Sequence, residues 1–207
     1  MKFTIGVKIL LGFGLALLIL IVVEAVSYRS TVALIDNADW VAHTYRVIGK
    51  VESLIAETNN AEAGRDGYLL TGRETYLEPY QQAKRTVDST LGEVRSLTAD
   101  NPHQQQRLDQ LTPLLANRLA LLQETIDVRR EKGADTAMQL VLNDQGKNMM
   151  GEIRKIIDQM EGEETDLLKQ RTDEAKASAQ ATTSTILYGT LVASMLVGLV
   201  GVLIQRS

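Results

Sequence analysis

Few side chains in this 207-residue sequence combine a reactive type with a telling position. Glu62 is the first of them. It falls on a seven-residue row, Leu34, Val41, Ile48, Ile55, Glu62 and Leu69, in which every other member is apolar. A repeat of that period lays one stripe of a helix against its partners. A carboxylate buried in such a stripe without a partner costs several kcal/mol, so it calls for a cation or a hydrogen-bond donor. Thr58, Asn59 and Asp66 crowd the same side of the helix. Arg118 stands in line with Leu111, Leu115 and Leu122 on another helical pattern, and Arg154 sits beside Ile153 on a third. Either arginine could reach Glu62. Three readings stay open: a buried ion pair that fixes helix register, a polar pocket for a small solute, or a Glu62 that faces solvent on a bundle turned from this register.

Other chemistry finds no residues to carry it. There is no cysteine, which excludes disulfides and thiolate metal sites, and His43 and His103 lie far apart on different helical patterns. No nucleophile has a base beside it and no glycine-rich phosphate loop occurs, so no catalytic residue, metal ligand or cofactor is expected and the chain is not read as an enzyme. Acids outnumber bases, 26 to 22, and three of the bases (Lys2, Lys8 and Arg206) flank the apolar ends. The acidic middle does not suit nucleic acid, which needs a basic footprint. Met149-Met150 reads as gap filling. Glu161 to Glu164 with Asp166 reads as a solvated helix face.

The elements that must position Glu62 begin and end in apolar runs. Ile9 to Val23 is unbroken apolar or glycine sequence, extended by Ala25-Val26, and Ile186 to Ile204 is a second run. About 18–20 such residues cross a bilayer core. A cleaved secretory signal is the competing reading for the first run, which is long for that purpose. Lys2, Lys8 and Arg206 place both termini in the cytoplasm by the positive-inside rule, with Tyr28 and Tyr188 at the outer interface. The expected organisation is a cytoplasmic end (1–8), a transmembrane helix (9–26), an extracytoplasmic bundle (27–185), a second transmembrane helix (186–204) and a cytoplasmic end (205–207). Gly189-xxx-Ala193 and Ser194-xxx-Gly198 fit close helix packing or ordinary membrane-helix composition equally well.

Between the runs, the first helix is expected to continue to about Leu70 and to stop at Gly72, which can take positive φ. Thr71 and Glu74 have capping-box spacing. A second helix follows to about Thr98, with Pro79 in its first turn and Tyr76, Tyr80, Val87, Leu91 and Val94 buried. Asp100-Asn101-Pro102 is a turn. A third helix runs to about Glu131, a short one spans Ala134 to Leu142, and the last long helix starts near Lys147. Helices joined by short loops pack antiparallel. The fold class is therefore all-α: an up-down four-helix bundle, extracytoplasmic, flanked by two transmembrane helices. Gly67, Thr71, Gly72, Tyr76, Pro79 and Tyr80 form its distal turn, with Tyr68, Tyr76 and Tyr80 as packing beneath it.

The stretch Glu62-Ala63-Gly64-Arg65-Asp66-Gly67-Tyr68-Leu69-Leu70-Thr71-Gly72, followed by Tyr76-Leu77-Glu78-Pro79-Tyr80, resembles the signature of the third class of CHASE extracellular sensory domain. Gly146-Lys147 and Met150-Gly151-Glu152-Ile153-Arg154 resemble its last helix. The likeness runs from Val41 to Glu164. It implies an extracytoplasmic helical bundle that feeds a histidine kinase, cyclase or chemoreceptor output. Where that family has Gln-Arg before Gly-Tyr, this sequence has Arg65-Asp66. The family arginine's ion pair would then be rebuilt through Arg65, about 100° around the helix. The candidate polar cluster is Asn59, Glu62, Arg65, Asp66, Tyr68, Arg118 and Arg154. The expected partners are the lipid bilayer, a second copy of the chain and a cytoplasmic output domain, with the small-molecule ligand unspecified. No phosphoacceptor histidine, ATP-binding or HAMP-like segment appears up to Ser207. Two functions are expected from this: the input half of a longer receptor, or a stand-alone tether that binds a partner membrane protein.

Overall fold

The computed structural model describes residues Ile5–Gln205. The expected cytoplasmic ends, 1–8 and 205–207, fall partly outside this span, and Lys2 and Arg206 lie outside it altogether. All regular structure among the described residues is helical: α1 (Ile5–Thr71), a 3-10 turn (Glu74–Leu77), α2 (Glu78–Leu97), α3 (Pro102–Lys132), α4 (Ala134–Val141) and α5 (Gln145–Gln205).

Local chemistry explains the boundaries. α1 contains no proline over 67 residues and stops where Gly72 turns to φ 70°, its N–H donating to the Tyr68 carbonyl at 2.8 Å. A left-handed residue there closes the last turn without steric cost only if it is glycine. The Thr71–Glu74 capping box does not form. Thr71 Oγ1 donates back to the Gly67 carbonyl at 2.7 Å and accepts from the Arg73 N–H at 3.2 Å, while Glu74 is engaged by Arg130. Pro79 lies in the first turn of α2, where its missing N–H has no helical partner to lose. Asn101 caps α3, its side-chain oxygen accepting from the N–H groups of His103 and Gln104 at 3.0 and 3.2 Å. Gly133, at φ 89°, separates α3 from α4, and Asp144, at φ 56°, precedes α5.

The chain forms two compact units, Ala42–Leu168 and the paired ends Met1–Val41 with Lys169–Ser207. The first is a four-helix bundle. α1 and α2 run antiparallel, joined by Lys50–Glu93 at 2.6 Å and by Thr86 donating to Glu57 at 2.8 Å. α2 and α3 are likewise antiparallel, through Arg95–Asp109 and Tyr80–Gln123. α3 meets α5 through Gln104 and Arg107. The main buried stripe of α1 is Thr44, Val47, Val51, Leu54, Thr58, Ala61, Arg65 and Tyr68, in alternating steps of three and four. Of the expected row, Leu69 is buried, Val41, Ile48, Ile55 and Glu62 are half-buried beside that stripe, and Leu34 is exposed. The stripe was disguised by Thr58, which satisfies its hydroxyl on the Leu54 carbonyl at 2.7 Å, and by Arg65. Tyr76, expected in the core, is 42% exposed, and its ring lies across Gly67.

In the unit of paired ends, α1 and α5 are antiparallel neighbours. Thr182 Oγ1 donates to Ser30 Oγ at 2.5 Å, and the Arg171 guanidinium sits 4.5 Å from the Trp40 ring centroid. Gly189 faces Val23 so closely that a Cβ would lie 2.8 Å from Val23 Cγ2, whereas Gly198 faces open space. Each helix carries a stretch long and apolar enough to cross a membrane. Their outward side chains, Leu10, Phe13, Leu187 and Met195 among them, are exposed. So much contiguous apolar surface suits lipid rather than water.

Candidate functional site

Two arginines reach the bundle core from different helices. Arg65 belongs to the buried stripe of α1 and is 2% exposed. Arg118 interrupts the row Leu108, Leu111, Leu115 and Leu122 of α3 and is 1% exposed. Their guanidinium groups share one carboxylate: Glu62 Oε1 lies 2.5 Å from Arg118 Nη2 and 3.5 Å from Arg65 Nη2. Asp66 Oδ1 lies 2.8 Å from Arg65 Nε, and Arg65 Nη1 donates to Thr125 Oγ1 at 3.4 Å. Glu62 and Asp66 are part-exposed, so two buried cations are faced by two anions at the rim. Arg118 Nη1 lies against Gly146 in the first turn of α5, where any Cβ would collide with it. One side chain thus touches α1 and α5 from α3.

The donors are poorly used. Arg118 Nη2 and Arg65 Nε each meet a single carboxylate oxygen, and Arg118 Nε is buried with no partner. Burial holds Arg65 below the usual arginine range, and the charge of Arg118 pushes the same way against Asp66 and Glu62. Burial likewise pushes the Asp66 carboxyl up, more than Arg65 beside it can hold it down. Each direction records a charge taken from water without full compensation.

The remaining predicted residues separate into two places. Arg154 and Asn59 are exposed and meet each other, Arg154 Nη2 donating to Asn59 Oδ1 at 3.5 Å. Arg118, rather than Arg154, is the arginine in contact with Glu62. Tyr68 lies buried at the distal turn, 5.8 Å from the Arg130 guanidinium. Tyr80 donates to Gln123 Oε1 at 2.9 Å, and Pro79 packs over Gly64. The turn is tied down from α3. Arg129 Nε donates to the Leu69 carbonyl at 3.0 Å and Arg130 takes both oxygens of Glu74, at 3.0 and 2.7 Å. Sequence reasoning missed Arg129 and Arg130. Two cations in the last turn of a helix opposite an acidic turn were the available signal.

A second polar layer was also missed. Gln104 is fully buried, and its Nε2 donates to the Met160 carbonyl at 3.0 Å and to Glu164 Oε1 at 3.1 Å. Glu163 accepts from Asn101 at 2.8 Å and pairs with Arg107. The acidic run expected to face solvent therefore turns Glu163 and Glu164 towards α3 and leaves Asp166 outside.

A family model described as the CHASE3 domain matches residues 37–174. Among solved structures, the sensor domain of the histidine kinase HK9 from Rhodopseudomonas palustris is similar at 25% sequence identity with a TM-score of 0.57, covering 61% of this chain and 98% of that one. No curated protein matches the chain.

Proposed function

This chain belongs to the CHASE3 domain family and is a sensory input module of a signal-transduction receptor, and from that premise we propose how it is mounted and how it signals. Residues 9–26 and 186–204 cross the cytoplasmic membrane, residues 27–185 stand in the periplasm or outside the cell, and residues 1–8 and 205–207 are cytoplasmic. A stimulus at the bundle shifts α5 against α1, and the shift is read by a cytoplasmic output of kinase, cyclase or chemoreceptor type. Two-state helix shifts of this kind are a known way to carry a switch. The observation that carries the reading is that α1 and α5 each join a bundle helix to a membrane-length apolar stretch in one element. The receptor works as a homodimer. The exposed Val32, Leu34 and Ile35 of α1 support a second copy there.

Fusion of the chain to a histidine kinase catalytic core tests this. Autophosphorylation of the chimera should change at least about twofold, roughly 0.4 kcal/mol in a two-state balance, on Glu62→Ala. Alkaline phosphatase inserted within 27–185 should be active, and fused at either terminus inactive. Unchanged output from a folded variant, or an active terminal fusion, would end the reading. Cysteines along Leu34, Val41 and Ile48 should cross-link two copies.

A further inference from the structure

Guanidinium groups are costly to bury, and they are kept buried where a planar two-oxygen partner matches their fork. Arg65 and Arg118 have no such partner. They share one oxygen of Glu62, Arg65 Nε meets one oxygen of Asp66 at 2.8 Å, and Arg118 Nε has no acceptor at all. Glu62 is about one-third exposed and stands at the rim, so its side chain can swing into solvent without disturbing the core. The chain's own carboxylate thus covers a pair of forks that it fills only in part.

We propose that the Arg65–Arg118 pair is a binding site for a carboxylate-bearing small solute, which takes the place of the Glu62 carboxylate. The solute's two oxygens would accept from Arg118 Nε and from the Nη2 donors that Glu62 gives up, and Glu62 would turn outward. Because Arg118 also presses on Gly146, a change in how its guanidinium is held acts directly on the first turn of α5. The inference rests on the sensory reading and names its ligand class.

The test is chemical rescue on the whole chain in detergent micelles. Glu62→Ala removes the internal carboxylate and leaves its space. Its melting temperature should fall by about 5 °C or more, in keeping with loss of one partner from a buried pair. Sodium formate or acetate at tens of millimolar should restore at least half of that loss, and sodium chloride of equal ionic strength should not. Glu62→Gln, which fills the same volume, should gain nothing from formate. Equal effects of chloride and formate, rescue of Glu62→Gln, or a Glu62→Ala variant that melts like the parent would each overturn the proposal. Should Glu62→Ala fail to fold, the parent chain decides. The arginine Nε–H resonance that disappears in Arg118→Lys should move on adding acetate and stay put with chloride, and no movement overturns the site. Phosphate rescuing better than formate would also overturn it, since a carboxylate would not be the class recognised. These readouts report binding alone. The kinase chimera reports signalling, so either result can fail without the other.

Discussion

Two glycines of α1 are held to hydrogen by the chain that folds back over them. A Cβ on Gly64 would lie 2.6 Å from the Tyr76 carbonyl oxygen, and one on Gly67 would lie 2.5 Å from Cδ1 of the Tyr76 ring. The first obstacle is backbone and cannot move without shifting the turn. The second is a side chain, 42% exposed, that can swing away. Gly49, on the same helix, meets nothing within 4 Å. The same substitution therefore has three outcomes. Gly64→Ala should destabilise by about 1–3 kcal/mol through overpacking. Gly67→Ala should cost less. Gly49→Ala should stabilise by roughly 0.5–1 kcal/mol, because alanine loses less backbone freedom in a helix. Melting temperatures of the three variants in micelles check the order. Gly64→Ala melting at or above Gly49→Ala would mean that the turn does not pack on α1 as described.

At the scale of the helix, what could be read in the sequence depended on what marked it. The boundaries were legible because Gly72, Pro79, Asn101 and Gly133 punctuate the chain by backbone chemistry that neighbours do not alter. Arg118 was legible because leucines surround it in register. The core stripe of α1 was displaced by one position, since Thr44, Thr58 and Arg65 occupy it and a search for apolar period discounts all three. The acidic run of α5 was opaque for the same reason: periodicity cannot tell which charge turns inward. That run gives α5 two opposed pH responses. Burial pushes the Glu161 carboxyl up, and repulsion from Glu52 and Asp158 adds to it. Burial would raise Glu163 as well, but hydrogen bonds from Arg107 and Asn101 and the charges of Arg107 and His103 bring it below the usual glutamate range. A raised carboxyl binds its proton more readily folded than unfolded, so Glu161 adds stability as pH falls towards the ordinary glutamate pKa, and Asp66 acts in the same direction. A lowered one contributes above that pKa and loses its contribution as pH drops through the folded value. Stability should thus rise gently on mild acidification and then fall below about pH 4.5. Glu161→Gln should flatten the rise. Glu163→Gln should shrink the acid-side fall, leaving the part that belongs to Glu74, which hydrogen bonds from Arg130 hold low, and cost about 1–2 kcal/mol at neutral pH. Denaturation midpoints across pH 3–8 measure both, and an acid-side fall as large in Glu163→Gln as in the parent would refute the assignment.

For the molecule as a whole, the open question is whether α5 moves against α1 when the receptor switches. The paired ends offer a direct lock. Ser30 Oγ and Thr182 Oγ1 lie 2.5 Å apart on the two helices, and the chain has no cysteine to interfere. Cysteines at these two positions should oxidise to an intramolecular disulfide, seen as a shift on a non-reducing gel that disappears with reductant. A disulfide holds the Cα atoms within about 7 Å, which forbids a one-turn slide of roughly 5 Å and restricts rotation. If the signal is a shift of α5 along α1, the oxidised kinase chimera should keep one output level whether or not Glu62 is replaced by Ala, and reductant should restore the difference. A cross-linked chimera that still responds fully to Glu62→Ala would rule out movement between these helices at the level of Ser30 and Thr182. Signalling would then have to run through a rearrangement between copies, with each α1–α5 pair moving as one body.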